Sequence, residues 1–432
     1  MKLSKSLIAL STMTALLLLS GCGGGSSDDT ITTTSIISTS GQLVDNYVAD
    51  VNYTCADGTT GLTDINGSFT CQTLPVTFQI SGLKLGTINV MPQDRQIFPQ
   101  DLLDVNRSDI NNSDVLALAT FLQSSDDDNN PRNGIRIKAQ VHEAFQNQEL
   151  VFNANDLDYY ATEANITLVS TDVAGAHLGN TVTFVEDVDD ANIPVTLKDA
   201  ILTPQYTLSQ ETKDTLSFMG NEERLAHDVY LELYNYHLNN GGDTIQQLLN
   251  IATKSETTHI QTVQSLINKY DLDYTSFTNI DLPELSYKDT NVDDMVMGTY
   301  DIKEIQDLHD ALIEIGEQSV IDALAVGCMV EVTDIEDLLN DIQTAKDSNA
   351  SDVVTAFEFL RDGSYSHYWS FDNALKALAI TEGCCSLGEA YCHPEYPQNT
   401  QGADASSGTC DTNTSSTTVA PQDGTGQQRG RP

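Results

Sequence analysis

Glu256 and His259 stand one helical turn apart in the segment "KSETTHIQTV", which holds neither proline nor glycine. Residues three apart are neighbours on a helix face, so the pair presents a carboxylate beside an imidazole. Both fall within the run Leu248, Ala252, Glu256, His259, Val263, Leu266, whose steps of three and four mark the buried stripe of an amphipathic helix. Three further stripes have the same design: Leu216, Met219, Glu223, Ala226, Tyr230, Leu233; then Val320, Leu324, Gly327, Glu331, Asp334, Leu338; then Phe357, Leu360, Ser364, His367, Phe371. Each is apolar at both ends and polar in the middle. An isolated buried carboxylate is costly, so such groups must be paired or coordinate a metal. Four polar midpoints on four helices can converge on one site. Carboxylates and imidazoles projecting inward from four helices are the ligand set of a dinuclear iron or manganese centre. The candidate ligands are Glu223, Glu256, His259, Glu331, Asp334 and His367, with Ser364 and Tyr230 beside them. Tyr230 reads as core packing that could also donate a hydrogen bond or an electron. Glu222 and His227, the alternatives in register, fall off the stripe and are expected to be solvated.

These side chains need long helices, and the pattern places them at about 209–239, 243–270, 301–315, 317–346 and 351–378. Asp243 follows Gly241-Gly242 and precedes Gln246 by three, the signature of an N-cap with its capping-box partner. A long irregular connection, "DLDYTSFTNIDLPELSYKDTNVDDMVMG", separates the second helix from the third. Four long helices with one long crossover make a ferritin-like layout rather than a simple up-down bundle.

The segments "FMGNEERLAHDVYLELY", "SETTHIQTVQSLINKYDL", "ALAVGCMVEVTDIEDL" and "FLRDGSYSHYWSF" resemble an uncharacterised ferritin-like domain-of-unknown-function family of bacteria and archaea, over about residues 209–375. Glu223-x2-Ala226-x3-Tyr230 followed by Glu256-x2-His259 is similar to the first half of a rubrerythrin or ferritin di-iron site. The resemblance implies a metal-binding bundle with no established reaction. One departure stands out: ferritins usually offer Glu-x-x-His on the last helix, where this chain has Ser364-x-x-His367. Asp334, one turn after Glu331, is the compensating carboxylate. The expected centre is therefore asymmetric, with a first metal among Glu223, Glu256, His259 and Glu331 and a weaker second one leaning on Asp334 and His367.

The N-terminus, "MKLSKSLIALSTMTALLLLSGC", has two lysines, an apolar run too short to span a membrane, and small residues before Cys22. It reads as an export signal over 1–21. The ending "LLSGC" resembles the lipobox of bacterial lipoproteins, which makes Cys22 a lipidated first residue and the membrane a partner. Gly23 in the next position suggests the outer membrane, facing the periplasm or the cell surface. Residues 22–40 form a flexible tether. Export places the remaining cysteines in an oxidising compartment. Cys55 and Cys71 are expected to staple a hairpin. Cys384, Cys385, Cys392 and Cys410 are expected to form two bridges in a Cys-rich segment, 379–410, with Cys328 as the unpaired thiol. Residues 411–432 read as a disordered tail.

Between tether and helices, 41–200 reads as a β-rich module with a helical segment near 114–123. "GLTDINGSFTC" resembles a hairpin of small carboxypeptidase-regulatory or transthyretin-like β-sandwich modules. Asp126, Asp128 and Asn130 have calcium-loop spacing, but Pro131 and Ile137 occupy the places of the required Gly and Glu, so a solvated acidic turn is the reading. No G-x-S-x-G is present. The fold class is thus multidomain α+β, with the β-rich module followed by an all-α ferritin-like four-helix bundle at 205–378. Charge narrows the partners: 20 Lys+Arg against 63 Asp+Glu, net −43, exclude nucleic acid and leave solubility or cation attraction. Two function classes follow. One is an iron- or manganese-binding protein, as an enzyme oxidising ferrous iron or reducing peroxide or oxygen, in a possible homodimer. The other is a non-catalytic interaction lipoprotein whose bundle is a scaffold.

Overall fold

The computed structural model describes residues 39–272, 296–300 and 302–398. The expected export signal, Cys22, most of the tether, Cys410 and the tail lie outside these residues. The chain is mixed α+β, with strands concentrated in 39–97 and helices dominating thereafter.

The strand-rich part comprises β1 (Thr39–Leu43), β2 (Val48–Ala49), β3 (Asn52–Cys55), β4 (Thr60–Leu62), β5 (Ser68–Cys71), β6 (Val76–Ile80), β7 (Leu83–Ile88) and β8 (Gln96–Ile97); β9 (Ile135–Arg136) and β10 (Leu150–Val151) join from later in the chain. One sheet has the order β5-β1-β8 and a second the order β10-β7-β6-β3-β4, while β2 pairs with β9. Alternation sets the inner faces: Val76, Phe78 and Ile80 of β6 are buried, and Phe69 of β5 meets Phe78 edge-on at 5.0 Å. Cys55 and Cys71 are bonded as expected. However, the bridge joins two sheets and does not staple a hairpin. The turn-rich insert carries its own strand, β4, which takes the free edge of β3, and β5 crosses to pair with β1.

Short helices follow: α1 (Pro99–Leu102), α2 (Ser113–Ser124), α3 (Ala139–Phe145), α4 (Leu157–Ala164), α5 (Thr171–Asp190) and α6 (Val195–Ile201). Side chains of Asn112 and Ser170 cap α2 and α5. In the acidic turn, Asp127 and Asp128 are exposed as expected, but Asp126 is buried, because its carboxylate accepts the backbone N–H groups of Asn130 and Arg136 and closes the turn.

The C-terminal half holds α7 (Gln210–Asn240), α8 (Gln246–Asn250), a π-helical turn (Ile251–Glu256), α9 (Thr257–Lys269), α10 (Lys303–Gly316), α11 (Val320–Asp347) and α12 (Ser351–Ala377). Ser209 and Ser319 cap α7 and α11. Asp243 is not the expected cap. Its own N–H bonds back to the carbonyl of His237, so it finishes α7, and Ile245 occupies the N-cap of α8. Contacts fix the helix directions. Thr212, at the start of α7, bonds Ser348 just past the end of α11, and His237 near the end of α7 bonds Gly316 just before the start of α11. Lys269 at the end of α9 pairs with Asp352 at the start of α12. The order is therefore up, down, down, up, and the connection through α10 carries the chain from one end of the four helices to the other.

Two apolar clusters fill this half. One holds Leu216, Met219, Val263, Leu266, Leu338, Phe357 and Leu360, and extends to Leu178, Val44 and Tyr47 of the N-terminal half. The other holds Val229, Leu233, Leu248, Ala252, Leu324 and Phe371. The polar midpoints lie between them.

Cys328, expected to be unpaired, is bonded to Cys384, and Cys385 is bonded to Cys392. Cys328 points into the core from α11. After α12 the chain folds back in short 3-10 turns, pinned by the Cys384 N–H on the Asp372 carboxylate, which brings Cys384 onto it. That leaves Cys385 to bond Cys392 in the described residues. The Cys328–Cys384 bridge closes a separation of 56 residues, and a loop of that size stabilises by roughly 4 kcal/mol on the chain-entropy account. Non-reduced peptide mapping should find Cys328 linked to Cys384. The Cys328→Ala/Cys384→Ala variant should lose stability of that order in urea unfolding; an unchanged midpoint would show that the bridge is incidental.

Candidate metal centre

The acidic and imidazole groups in the middle of the stripes are buried because each stripe is apolar at both of its ends. Glu223 on α7, Glu256 in the π-helical turn, His259 on α9, Glu331 on α11 and His367 on α12 are each at most 5 % exposed. The structure brings these five together. His259 Nδ1 lies 3.0 Å from Glu223 Oε2 and 3.1 Å from Glu256 Oε2. His367 Nδ1 lies 3.1 Å from Glu256 Oε1 and 3.3 Å from Glu331 Oε2. Two triads result, Glu223–Glu256–His259 and Glu256–Glu331–His367, each with one ligand atom per residue within 4.8 Å of the others. Glu256 belongs to both and gives one oxygen to each imidazole. The ligands thus divide differently from expectation: Glu331 sits with His367, and Asp334 joins neither triad.

Neighbouring side chains hold the ligands in place. Tyr230 donates its O–H to Glu331 Oε1 at 2.5 Å. Ser364 donates to Asp334 Oδ2 at 2.6 Å, with the carbonyl of Leu360 at 3.0 Å as the alternative acceptor of the same proton. His367 Nε2 meets the hydroxyl of Ser255 at 2.6 Å, which leaves Nδ1 to face the carboxylates. Ser255 was not singled out from the sequence. In a regular helix, consecutive residues point 100° apart, but the wider π turn lets Ser255 and Glu256 both face inward. No stripe with steps of three and four reveals that. Gly363 lets α12 approach His259: a Cβ there would stand 2.4 Å from Nε2.

Glu222 is also buried, contrary to the expectation that it is solvated, because the thickness of α11 covers the adjacent face of α7 at this level and brings Asp337 within hydrogen-bonding distance. His227 is half-buried and bonds Asp228, away from the centre.

Electrostatics follow from the burial. Desolvation pushes Glu223 up to about 7, against the pull of His259. Desolvation also acts upward on Glu256, but the charges of His367 and His259 outweigh it and hold this carboxylate well below the usual range. Burial disfavours charged imidazoles, yet Glu223 and Glu256 keep His259 well above its ordinary value, and Glu331 and Glu256 bring His367 to about 10. Burial, then the charges of Glu223 and Glu331, push Asp334 up.

Ion pairs alone leave this set incompletely satisfied. Glu223 Oε1, Asp334 Oδ1 and His259 Nε2 are buried without a hydrogen-bond partner, and His367 Nδ1 is close to two carboxylates without a hydrogen bond's alignment to either. Donor atoms about 2.1 Å from one first-row divalent ion lie roughly 3.0–3.4 Å apart, which is the imidazole–carboxylate spacing in both triads. The residues present therefore fit a pair of such ions.

The site and helices thus define a mixed α+β chain whose helical half carries a buried Glu/His cluster. Residues 212–384 match the model of a family described as an uncharacterised protein domain, DUF2202. An uncharacterised protein of Methanocaldococcus jannaschii, MJ0754, is 33% identical over 168 residues, covering 39% of this chain and 77% of the relative. The chain belongs to this family. A crystal structure of the hypothetical protein MJ0754 matches at 32% identity over 41% of this chain and 86% of that one, with a TM-score of 0.33.

The raised affinities of His367 and Glu223 for protons set a pH dependence. Both groups bind a proton more tightly folded than unfolded. Their contribution to the metal-free fold is fully present below the ordinary carboxyl and histidine values, about 4.3 and 6.5, and fades as pH rises through about 7 for Glu223 and about 10 for His367. Metal-free protein should therefore lose urea stability steadily from pH 6 to pH 9, while His367→Gln flattens the upper part of that slope. Equal stability across the range would contradict the ion-pair geometry. Gly363→Ala should displace the His259 ring and lower divalent-ion affinity at least about tenfold, with helical content by circular dichroism unchanged.

Proposed function

We propose that this chain is a ferritin-like protein that binds two divalent metal ions, iron or manganese, and that it is exported and anchored to the outer membrane by a lipid on Cys22. One observation carries the metal reading: two Glu/His triads sharing Glu256, buried at the midpoint of four helices. The up-down-down-up order and the long connection through α10 support the ferritin-like layout. The charge balance supports the number of ions. Ionised, Glu223, Glu256, Glu331 and Asp334 carry four negative charges, which two divalent cations balance when both imidazoles are neutral. The three disulfides among the described residues support an oxidising compartment.

Each residue has a distinct part. Glu256 bridges the two positions. His259 and His367 offer Nδ1, one to each. Glu223 closes the first triad and Glu331 the second, where Tyr230 fixes the orientation of Glu331. Asp334, held by Ser364, keeps Oδ1 without a partner and feels the charges of Glu223 and Glu331, one from each triad. The apolar clusters on both sides exclude water and strengthen every charge interaction within. A bound iron or manganese pair would supply electron transfer to oxygen or peroxide, or oxidation of ferrous iron as substrate. Tyr230, hydrogen-bonded to Glu331, is placed to pass a proton or an electron at its phenolic oxygen.

Protein purified without chelator should carry iron or manganese, and metal-free protein titrated with ferrous or manganous ion should take up two ions per chain. Glu256→Gln should abolish both. Glu223→Gln should spare the Glu256–Glu331–His367 triad and leave one. Because each ion displaces a proton from an imidazole, affinity should rise up to about tenfold per pH unit near neutrality. No uptake by the wild-type chain would overturn the proposal in favour of a scaffold in which the Glu–His pairs serve only to fix the fold.

A further inference from the structure

Beyond the two triads, carboxylates continue along one face of α11. Glu331, Asp334, Asp337 and Asp341 follow at steps of three, three and four, one per turn. The series spans about 15 Å of helix. Glu331 is buried, and Asp334, Asp337 and Asp341 are each partly exposed. A solvated helix face commonly carries such charges, and spacing alone would mean nothing.

Glu222 changes the reading. It lies on the adjacent helix, α7, at 9 % exposure, and its Oε2 is buried with no hydrogen-bond partner. The carboxyl is in hydrogen-bonding range of Asp337, and the charges acting on it come from Asp334, Asp337 and Asp341. A buried acid facing three others, with one oxygen unsatisfied, is a costly arrangement that a cation relieves. The outer step is crowded in the same way: burial, then Asp337 and Glu211, raise Asp341 to about 7. These four residues do not form one compact triad like those of the centre. Their spacing suits passage from one carboxylate to the next better than tight retention.

We propose that Asp341, Asp337, Glu222 and Asp334 form an acidic path along the α7–α11 seam that carries divalent cations from solvent to the buried centre. The path rests on the dinuclear reading, since it has a destination only if the centre binds ions. It also gives the chain's large negative charge a local use: a groove of one sign raises the cation concentration at its mouth and speeds capture by 10-fold or more at low salt. Inside, each carboxylate replaces part of the water that a desolvating ion gives up.

The test separates rate from capacity. Metal-free full-length protein is mixed with cobalt(II), and the rise of its visible absorption is followed by stopped flow. Asp337→Asn/Asp341→Asn should slow filling about tenfold at low ionic strength, while the centre still fills to the wild-type level. Glu222→Gln, which keeps the shape and loses the charge, should slow it as well and should raise stability in urea. Asp158→Asn/Glu163→Gln, which removes two exposed carboxylates on α4, should fill at the wild-type rate. Raising salt should slow the wild type and leave the Asp337/Asp341 variant nearly unchanged. Wild-type rates in the path variants, or equal slowing by the α4 control, would overturn the path and leave the centre standing. Absence of cobalt binding by the wild type would instead remove the centre, and the path with it.

Discussion

The cost of taking three glutamates and two histidines out of water dominates this structure. An unpaired charge in such a place costs several kcal/mol, so every element around Glu223, Glu256, Glu331, His259 and His367 has to contribute to holding them in register. The helices must be long, because a polar midpoint needs apolar turns on both sides to be sealed. The caps at Ser209 and Ser319, the bond from Thr212 to Ser348 and the Lys269–Asp352 pair fix the helix ends, and thus the sliding register that aligns the midpoints. A slip of one turn in any helix would set a carboxylate against leucines.

Close packing transmits this constraint to the ligands through small residues. At Gly327 on α11 a Cβ would stand 2.5 Å from the ring of Phe371, so the glycine admits that ring. Phe371 in turn packs on Tyr230 with ring centroids 5.2 Å apart, and Tyr230 orients Glu331. Gly363 does the same for His259 from α12. Neither glycine has an unusual backbone; each is present because a side chain would occupy the space of a ring. The Cys328–Cys384 bridge lies one turn from Glu331 and ties the end of the chain to the same stretch of α11.

Much of this was legible in the sequence, since periodicity reports which face a helix buries. The stripes located all five converging side chains because each interrupts an otherwise apolar run. The misses have physical causes. Ser255 depends on a π turn, a local change of pitch that a fixed period cannot detect. Glu222 depends on how thick the neighbouring helix is and where it crosses, which is tertiary information. Asp243 carried a good capping signature, but the two glycines before it let the chain turn back and finish α7 first. Cys328 looked like a small apolar core residue, and it is one; what the sequence could not supply was that the segment after α12 folds back onto α11. The Cys55–Cys71 pairing was legible from the flanking turn chemistry, whereas the sheets it joins depend on long-range strand order.

Ser364 shows how the composition of the centre follows from charge. A glutamate at that place on α12 would add a fifth carboxylate to Glu223, Glu256, Glu331 and Asp334. That would add one more buried negative charge to a group whose oxygens are already short of partners, at a cost of several kcal/mol. Asp334 places the fourth charge on α11 instead, and Ser364 supplies a neutral hydroxyl that binds Oδ2 at 2.6 Å and steers it. The hydroxyl has the Leu360 carbonyl of its own helix as the alternative acceptor, so the serine is satisfied whether or not Asp334 moves. A short carboxylate on a shared seam, with one oxygen tethered and the other unsatisfied, can turn either toward the centre or toward Glu222 and Asp337. The position of that carboxylate on α11 rather than α12 therefore sets it at the innermost turn of the acidic series, where Ser364 on α12 holds one of its oxygens.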